Sequence, residues 1–193
     1  MNDTIKRIMR AIMLDREFYK EAEADTSLNQ EALMIVIIVS VIGGIGSFLT
    51  TLSEPNAQGI GRALIALLVT SGLGVANYYI WAYVTHYIGT NMFKGDADPG
   101  ELLRILGYAS APRLLTLLGF IPCVGWLISF AGGIWALVAG FFGVQEALDL
   151  DATETLVTVV LGWLAILILT TIVTSVIGIG TASFGALLSS FGR

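Results

Sequence analysis

Between Glu31 and Glu54 the chain runs for 22 uncharged residues, ALMIVIIVSVIGGIGSFLTTLS. A helix needs about 20 mostly apolar residues to cross the hydrocarbon of a bilayer, so this stretch, 32–53, reads as a membrane span. A second uncharged run of 31 residues lies between Arg62 and Lys94. It supplies a second span over about 63–90, with room for tilt. No barrel competes, because barrel strands are alternating segments of about ten residues. Charged residues make up 13% of the chain, about half the share usual in soluble domains, and mean hydropathy is +0.81.

Capping chemistry places the later boundaries. In DPGE, Asp98 sits at an N-cap position, Pro99 fits the first helical turn, and Glu101 stands where a capping-box acid stands. Pro122 is placed to end that helix. Residues 99–121 would reach roughly 34 Å as one helix, enough to cross. A fourth span covers about 124–147. DLDATET then offers a second start, with Asp151 as the cap and Glu154 three residues on. From Thr155 to Gly192 there is no charge, and Gly178, Gly180 and Gly185 point to a helix end near 180, with an apolar tail. The expectation is an all-α membrane bundle of five transmembrane helices over 31–193, preceded by a polar segment, 1–30. No cleavable signal peptide is expected, since the first apolar run begins about thirty residues in.

Five of the ten lysines and arginines lie in the first twenty residues: Lys6, Arg7, Arg10, Arg16 and Lys20. The excess of positive charge beside cytoplasmic span ends puts the N-terminus inside, together with Lys94 and Arg104. Ile5, Ile8, Met9 and Ile12 repeat at helical spacing, with Lys6, Arg7 and Arg10 off the stripe. Two readings fit this pattern. The helix lies on an anionic leaflet through those three cations, or it packs on the bundle's own loops.

Polar residues inside the spans are the candidate functional positions. Arg104 lies about 8 Å from the Pro99 start, close enough to snorkel to headgroups or pair with Glu101. Arg113 lies about 21 Å in, and must reach outward, find a partner such as Glu54, or sit in a wet cavity. Pro112 removes the bond to the Tyr108 carbonyl and should kink the helix there. His86 shares a face with Tyr79, Tyr83 and Tyr87; the aromatics suit a membrane boundary. Gly132, Ala136 and Gly140 are spaced by four, as are Thr174, Gly178 and Ala182, which suits close helix packing or self-association.

Chemistry is sparse. One cysteine, Cys123, and one histidine exclude a disulfide and a His/Cys zinc site. The acids of DLDATE are explained by capping rather than by a calcium loop. No nucleophile, metal or phosphate motif occurs, so no catalytic residue, cofactor or metal is expected. Neither is a nucleic-acid partner.

The middle of the chain resembles a known family. GYASAP (107–112), IP (121–122), GW (125–126), IW (134–135) and GVQEALDLDATET (143–155) are similar to the pattern of the Yip domain family, the Ypt/Rab-interacting five-pass membrane proteins. VTHYIG and LDREFY resemble the short prokaryotic-type members, although relatives often carry a proline where Asp15 and Arg16 stand. The resemblance implies five helices with a cytosolic N-terminus in the membrane of a bacterium or archaeon. It also implies a role in membrane organisation or trafficking through protein partners or lipid, with homo- or hetero-oligomers. A small GTPase partner comes from the resemblance alone. A small transporter or lipid-handling protein, with a polar path at the kinked third helix, is the alternative.

Overall fold

The computed structural model describes residues 2–53, 59–120 and 124–191, with side chains in the last helix described as far as Val176, Thr174 excepted. Among them the chain is all helical. The helices are α1 (Asn2–Ile12), α2 (Arg16–Ala24), α3 (Asn29–Ser53), α4 (Ile60–Phe93), α5 (Pro99–Ala109), α6 (Gly125–Ala147) and α7 (Ala152–Phe191). A 3-10 turn, Thr26–Leu28, precedes α3, and a 3-10 run, Ala111–Phe120, follows α5.

Among the described residues, four segments are long and apolar enough to cross a membrane: Thr26–Ser53, Ile60–Phe93, Gly125–Ala147 and Ala152–Val173. The continuous third helix expected over 99–121 is instead divided. The α5 helix stops at Ala109, and the backbone tightens into the 3-10 run through Ser110, with Arg113 N–H donating to the Ser110 carbonyl at 3.0 Å. Pro112 is the physical reason, because it has no N–H to give to Tyr108 and its ring crowds that carbonyl. The helix expected to stop near 180 continues to Phe191. Glycine weakens a helix by only about 1 kcal/mol, and no proline follows position 122.

Both capping boxes form. Asp98 accepts from Gly100 N at 2.6 Å and Glu101 N at 3.1 Å, while Glu101 accepts from Asp98 N at 2.8 Å. Asp151 accepts from Thr153 N and Glu154 N at 2.8 and 2.9 Å, and Glu154 accepts from Asp151 N at 3.3 Å.

The long helices pack through small residues. A side-chain carbon at Gly44 would lie 2.7 Å from the Leu67 carbonyl, and one at Gly74 would strike Ser40, so α3 and α4 meet backbone to backbone. Their outer faces carry exposed Ile37, Ile38, Leu64 and Leu68, as α7 carries Leu167 and Ile168. Such an apolar exterior calls for lipid rather than water.

The large buried side chains gather elsewhere. Phe18, Tyr19, Leu102, Ile105, Leu106, Tyr108, Val144 and Leu148 are all fully enclosed, where α2, α5 and the C-terminal part of α6 meet. The densest core therefore sits at the end of the bundle that carries the N-terminal helices, and α5 is its centre.

Candidate functional site

Arg104 is 3% exposed and reaches none of the positions expected of it. It neither extends outward nor pairs with Glu101. Its Nε donates to the Ala22 carbonyl at 2.8 Å, one terminal nitrogen donates to Asn29 Oδ1 at 3.1 Å, and the other donates to the Glu23 carbonyl. Ala22 and Glu23 are at the C-terminal end of α2, where carbonyls lack helical partners and partial negative charge collects. A planar guanidinium with five donors suits that cluster of acceptors. Arg104 thus caps α2 from α5, across 82 positions of sequence.

A second cluster forms around Glu31, in the first turn of α3. Its carboxylate accepts from Arg7 Nε at 3.0 Å and a terminal Arg7 nitrogen at 2.9 Å. It also accepts from Thr4 Oγ1 at 3.0 Å and Tyr108 Oη at 2.6 Å. The bidentate pair raises the Arg7 pKa above its ordinary value. The Tyr108 ring stands edge-on to Phe18 at 4.9 Å between centroids. One carboxylate thereby joins α1, α3 and α5.

The end of α1 is held in the same manner as the end of α2. The Ala11 carbonyl accepts from Tyr19 Oη at 3.1 Å, and the Ile12 carbonyl accepts from Trp135 Nε1 at 2.7 Å. Asp15 then caps α2 by accepting from Glu17 N and Phe18 N, at 3.1 and 3.3 Å. Arg10 bridges Asp15 at 2.6 Å and Glu21 at 2.6 Å. The Arg10 guanidinium holds the Asp15 carboxyl below its usual pKa, and burial pushes the Tyr19 phenol up. Burial also raises Glu23, with nearby Glu101, Asp149 and Glu146 adding to the effect.

This geometry divides the apolar stripe of α1. Ile8 and Ile12 pack on the core around buried Ala11, while Ile5, Met9 and Met13 stay exposed. Of the three cations placed beside the stripe, Arg7 and Arg10 are engaged within the chain. Lys6 is exposed and has no ion pair among the described residues.

Residues 11–188 match the family model described as the Yip1 domain. The chain belongs to the Yip1 domain family. The matched region takes in α2, with Arg104, Tyr108 and Glu31, but begins too late to include Thr4 and Arg7. No curated protein matches the chain, and no solved structure does.

The remaining sequence candidates of this Yip1 domain protein scatter. Pro112 is fully buried at the start of the 3-10 run, with its carbonyl 2.9 Å from where a side-chain carbon would sit at Gly132. Arg113 is exposed, and its side chain has no hydrogen bond or ion pair among the described residues. Glu54, its expected partner, and Pro122 lie outside the described residues, and the side chains of Thr174, Gly178 and Ala182 lie outside the described ones. His86 Nε2 is 3.0 Å from the Ala97 carbonyl. A carbonyl can only accept, so that nitrogen carries the proton and ties α4 to the α4–α5 connection. Tyr83 and Tyr87 are exposed beside it.

Gly132, Ala136 and Gly140 face inward. Gly132 receives the 3-10 run, Ala136 is buried, and a side-chain carbon at Gly140 would lie 2.9 Å from the Trp81 ring. No group of three or more metal-ligating side chains occurs among the described residues.

Two cavities stand out among the described residues. One, of about 220 Å³, lies beside Arg104 and is lined by Asn29, Gln30, Leu33, Tyr78, Tyr79 and Leu103 among others. The second, of about 480 Å³, is an apolar groove between α6 and α7. Neither includes Arg113.

The residues that organise the site and escaped the sequence reading are Glu31, Asp15 and the Phe18–Tyr19 pair. Asp15 carried a readable signal, an acid three residues before an aromatic in a helical pattern. Glu31 carried a weaker one, a lone acid in the first turn before a long apolar run.

Proposed function

We propose that this Yip1 domain protein is a non-enzymatic adaptor that spans its membrane and presents a preformed surface to protein partners or lipid on the cytoplasmic side. One observation carries the reading: the N-terminal helices are clasped to the bundle rather than trailing from it. Arg104 holds α2, Trp135 and Tyr19 hold α1, and Glu31 joins α1 to α3 and α5. A surface fixed before binding loses less conformational freedom when a partner arrives. That surface carries exposed Ile5, Met9 and Met13 beside Lys6, Arg16 and Lys20.

In this reading the chain crosses five times with its N-terminus inside. The fifth crossing is the divided segment 99–120. Its 11 helical residues and ten 3-10 residues would reach about 36 Å end to end, against roughly 30 Å of hydrocarbon. Lys6, Arg7, Arg10, Arg16, Lys20 and Lys94 then share the cytoplasmic side. A small GTPase is one class of protein partner the family suggests. The conduit reading has less behind it, because Arg113 lines neither cavity.

Photocrosslinking from positions 9 and 13 of the full chain in native membranes tests the adaptor. The expected result is a discrete adduct of constant mass at both positions, reduced by Lys6→Glu while α1 stays docked. A chain that is monomeric and forms no adduct at positions 6, 9 or 13 overturns it.

A further inference from the structure

The α6–α7 groove has a wall made of apolar side chains alone and a cationic rim. Ile134, Leu137, Val138, Phe141 and Phe142 of α6 face Leu156, Val159, Val160 and Trp163 of α7 around about 480 Å³. Ile134, Leu156, Val160 and Trp163 are each more than 40% exposed, so the groove opens to the side of the bundle. Its α6 wall runs from Ile134 to Phe142, roughly 12 Å along the helix.

The rim is at Phe142. The Arg16 guanidinium lies over that ring, 4.8 Å from its centroid. One turn further on, Glu146 accepts from Arg16 at 3.2 Å and pairs with Lys20 at 3.4 Å. Two cations meet one carboxylate at the head of an apolar slot. The Arg16 and Lys20 side chains are 54% and 68% exposed, so both retain donors for a ligand. A ligand that matches both parts has a long apolar chain and an anionic head.

We infer that the α6–α7 groove seats an acyl chain of an anionic phospholipid, with the phosphate held at Arg16 and Lys20. The inference goes beyond the adaptor reading and needs only that the long helices lie in a bilayer. The apolar slot accepts any lipid tail. The charge at its head makes the site prefer an anionic lipid, and places that lipid in the leaflet on the α2 side.

Trp163 reports occupancy. The full chain is placed in phosphatidylcholine vesicles containing increasing amounts of dibrominated phosphatidylglycerol or dibrominated phosphatidylcholine. Quenching of Trp163 is read as the difference between the chain and its Trp163→Phe variant. Half-maximal quenching should need roughly fivefold less phosphatidylglycerol than phosphatidylcholine, the scale of one basic residue's attraction to an anionic lipid. Arg16→Gln with Lys20→Gln should erase that difference and leave the quenching by phosphatidylcholine. Val160→Phe, which fills the slot and spares the rim, should erase the difference as well. Equal curves for the two lipids in the unaltered chain overturn the inference. So does a preference that survives either variant. Trp163 shielded from both lipids places a second copy in the groove and overturns it too. None of these outcomes depends on a crosslinked protein partner, so the site and the adaptor reading fail separately.

Discussion

Replacing Arg104 with methionine should release α2 from the bundle without melting the bundle. The side chain is 3% exposed, and its three donor nitrogens serve the Ala22 and Glu23 carbonyls and Asn29 Oδ1. A hydrogen bond from a charged group is worth about 1.5–3 kcal/mol net. The three share one side chain and do not add fully, so the loss is about 3–5 kcal/mol, the scale of removing one partner from a buried polar cluster. Methionine keeps the stem's packing and leaves the acceptors empty. A loss of 3 kcal/mol raises local opening about 150-fold. Amide hydrogen exchange of residues 18–24 should quicken by two to three orders of magnitude, while residues 78–85 of α4 hold their protection. Arg104→Lys should fall between, since a point charge cannot fork to three acceptors. If residues 18–24 exchange at the wild-type rate in a folded Arg104→Met chain, Arg104 is not the latch. Equal acceleration in α4 would instead make it a residue of global stability.

Tyr108→Phe removes one donor from Glu31 and leaves Arg7 and Thr4 in place. It should cost about 1.5–3 kcal/mol, and Glu31→Ala should cost more, both read as shifts in thermal midpoint in detergent. Asp15 has its carboxyl held below the ordinary value by Arg10. Its contribution is therefore whole above about pH 4 and is lost as pH falls through the lower folded value. Acid release of α1, followed through Trp135 emission, should weaken in Asp15→Asn, and an identical titration in that variant would remove Asp15 from the mechanism. Gly44→Val should part α3 from α4, because the added carbon meets the Leu67 carbonyl. Overpacking of this kind costs about 1–3 kcal/mol, and an unchanged melting point would show that the seam yields.

Helix ends were legible in the sequence wherever a side chain next to the end provides the cap. Asp98 with Glu101, and Asp151 with Glu154, are local pairs three residues apart, and both form. Membrane-length runs were legible because hydropathy over about 20 residues does not depend on the fold. The site was less so. Arg104 is a few residues into a predicted span, where snorkelling is the default for an isolated helix. Its partners lie 75–82 positions away, and no spacing rule reaches that far. The stripe of α1 was visible, but which of Ile5, Ile8, Met9 and Ile12 would turn inward depended on Trp135, 123 positions on. Pro112 signalled a break, while the ten residues of 3-10 backbone that contain it follow from packing on Gly132 and its neighbours.

The carbonyl ends of α1 and α2 have a consequence for biosynthesis. These two helices leave the ribosome before α5 and α6, and the donors that finish them, Arg104 and Trp135, are made 82 and 123 residues later. At about 5–20 residues per second, α2 waits roughly 4–16 seconds for Arg104. Through that interval the first helices have open ends and an uncovered apolar face. Their closure therefore records that α5 and α6 have reached their places, and a chain stalled before α6 keeps the carbonyl end of α1 without Trp135.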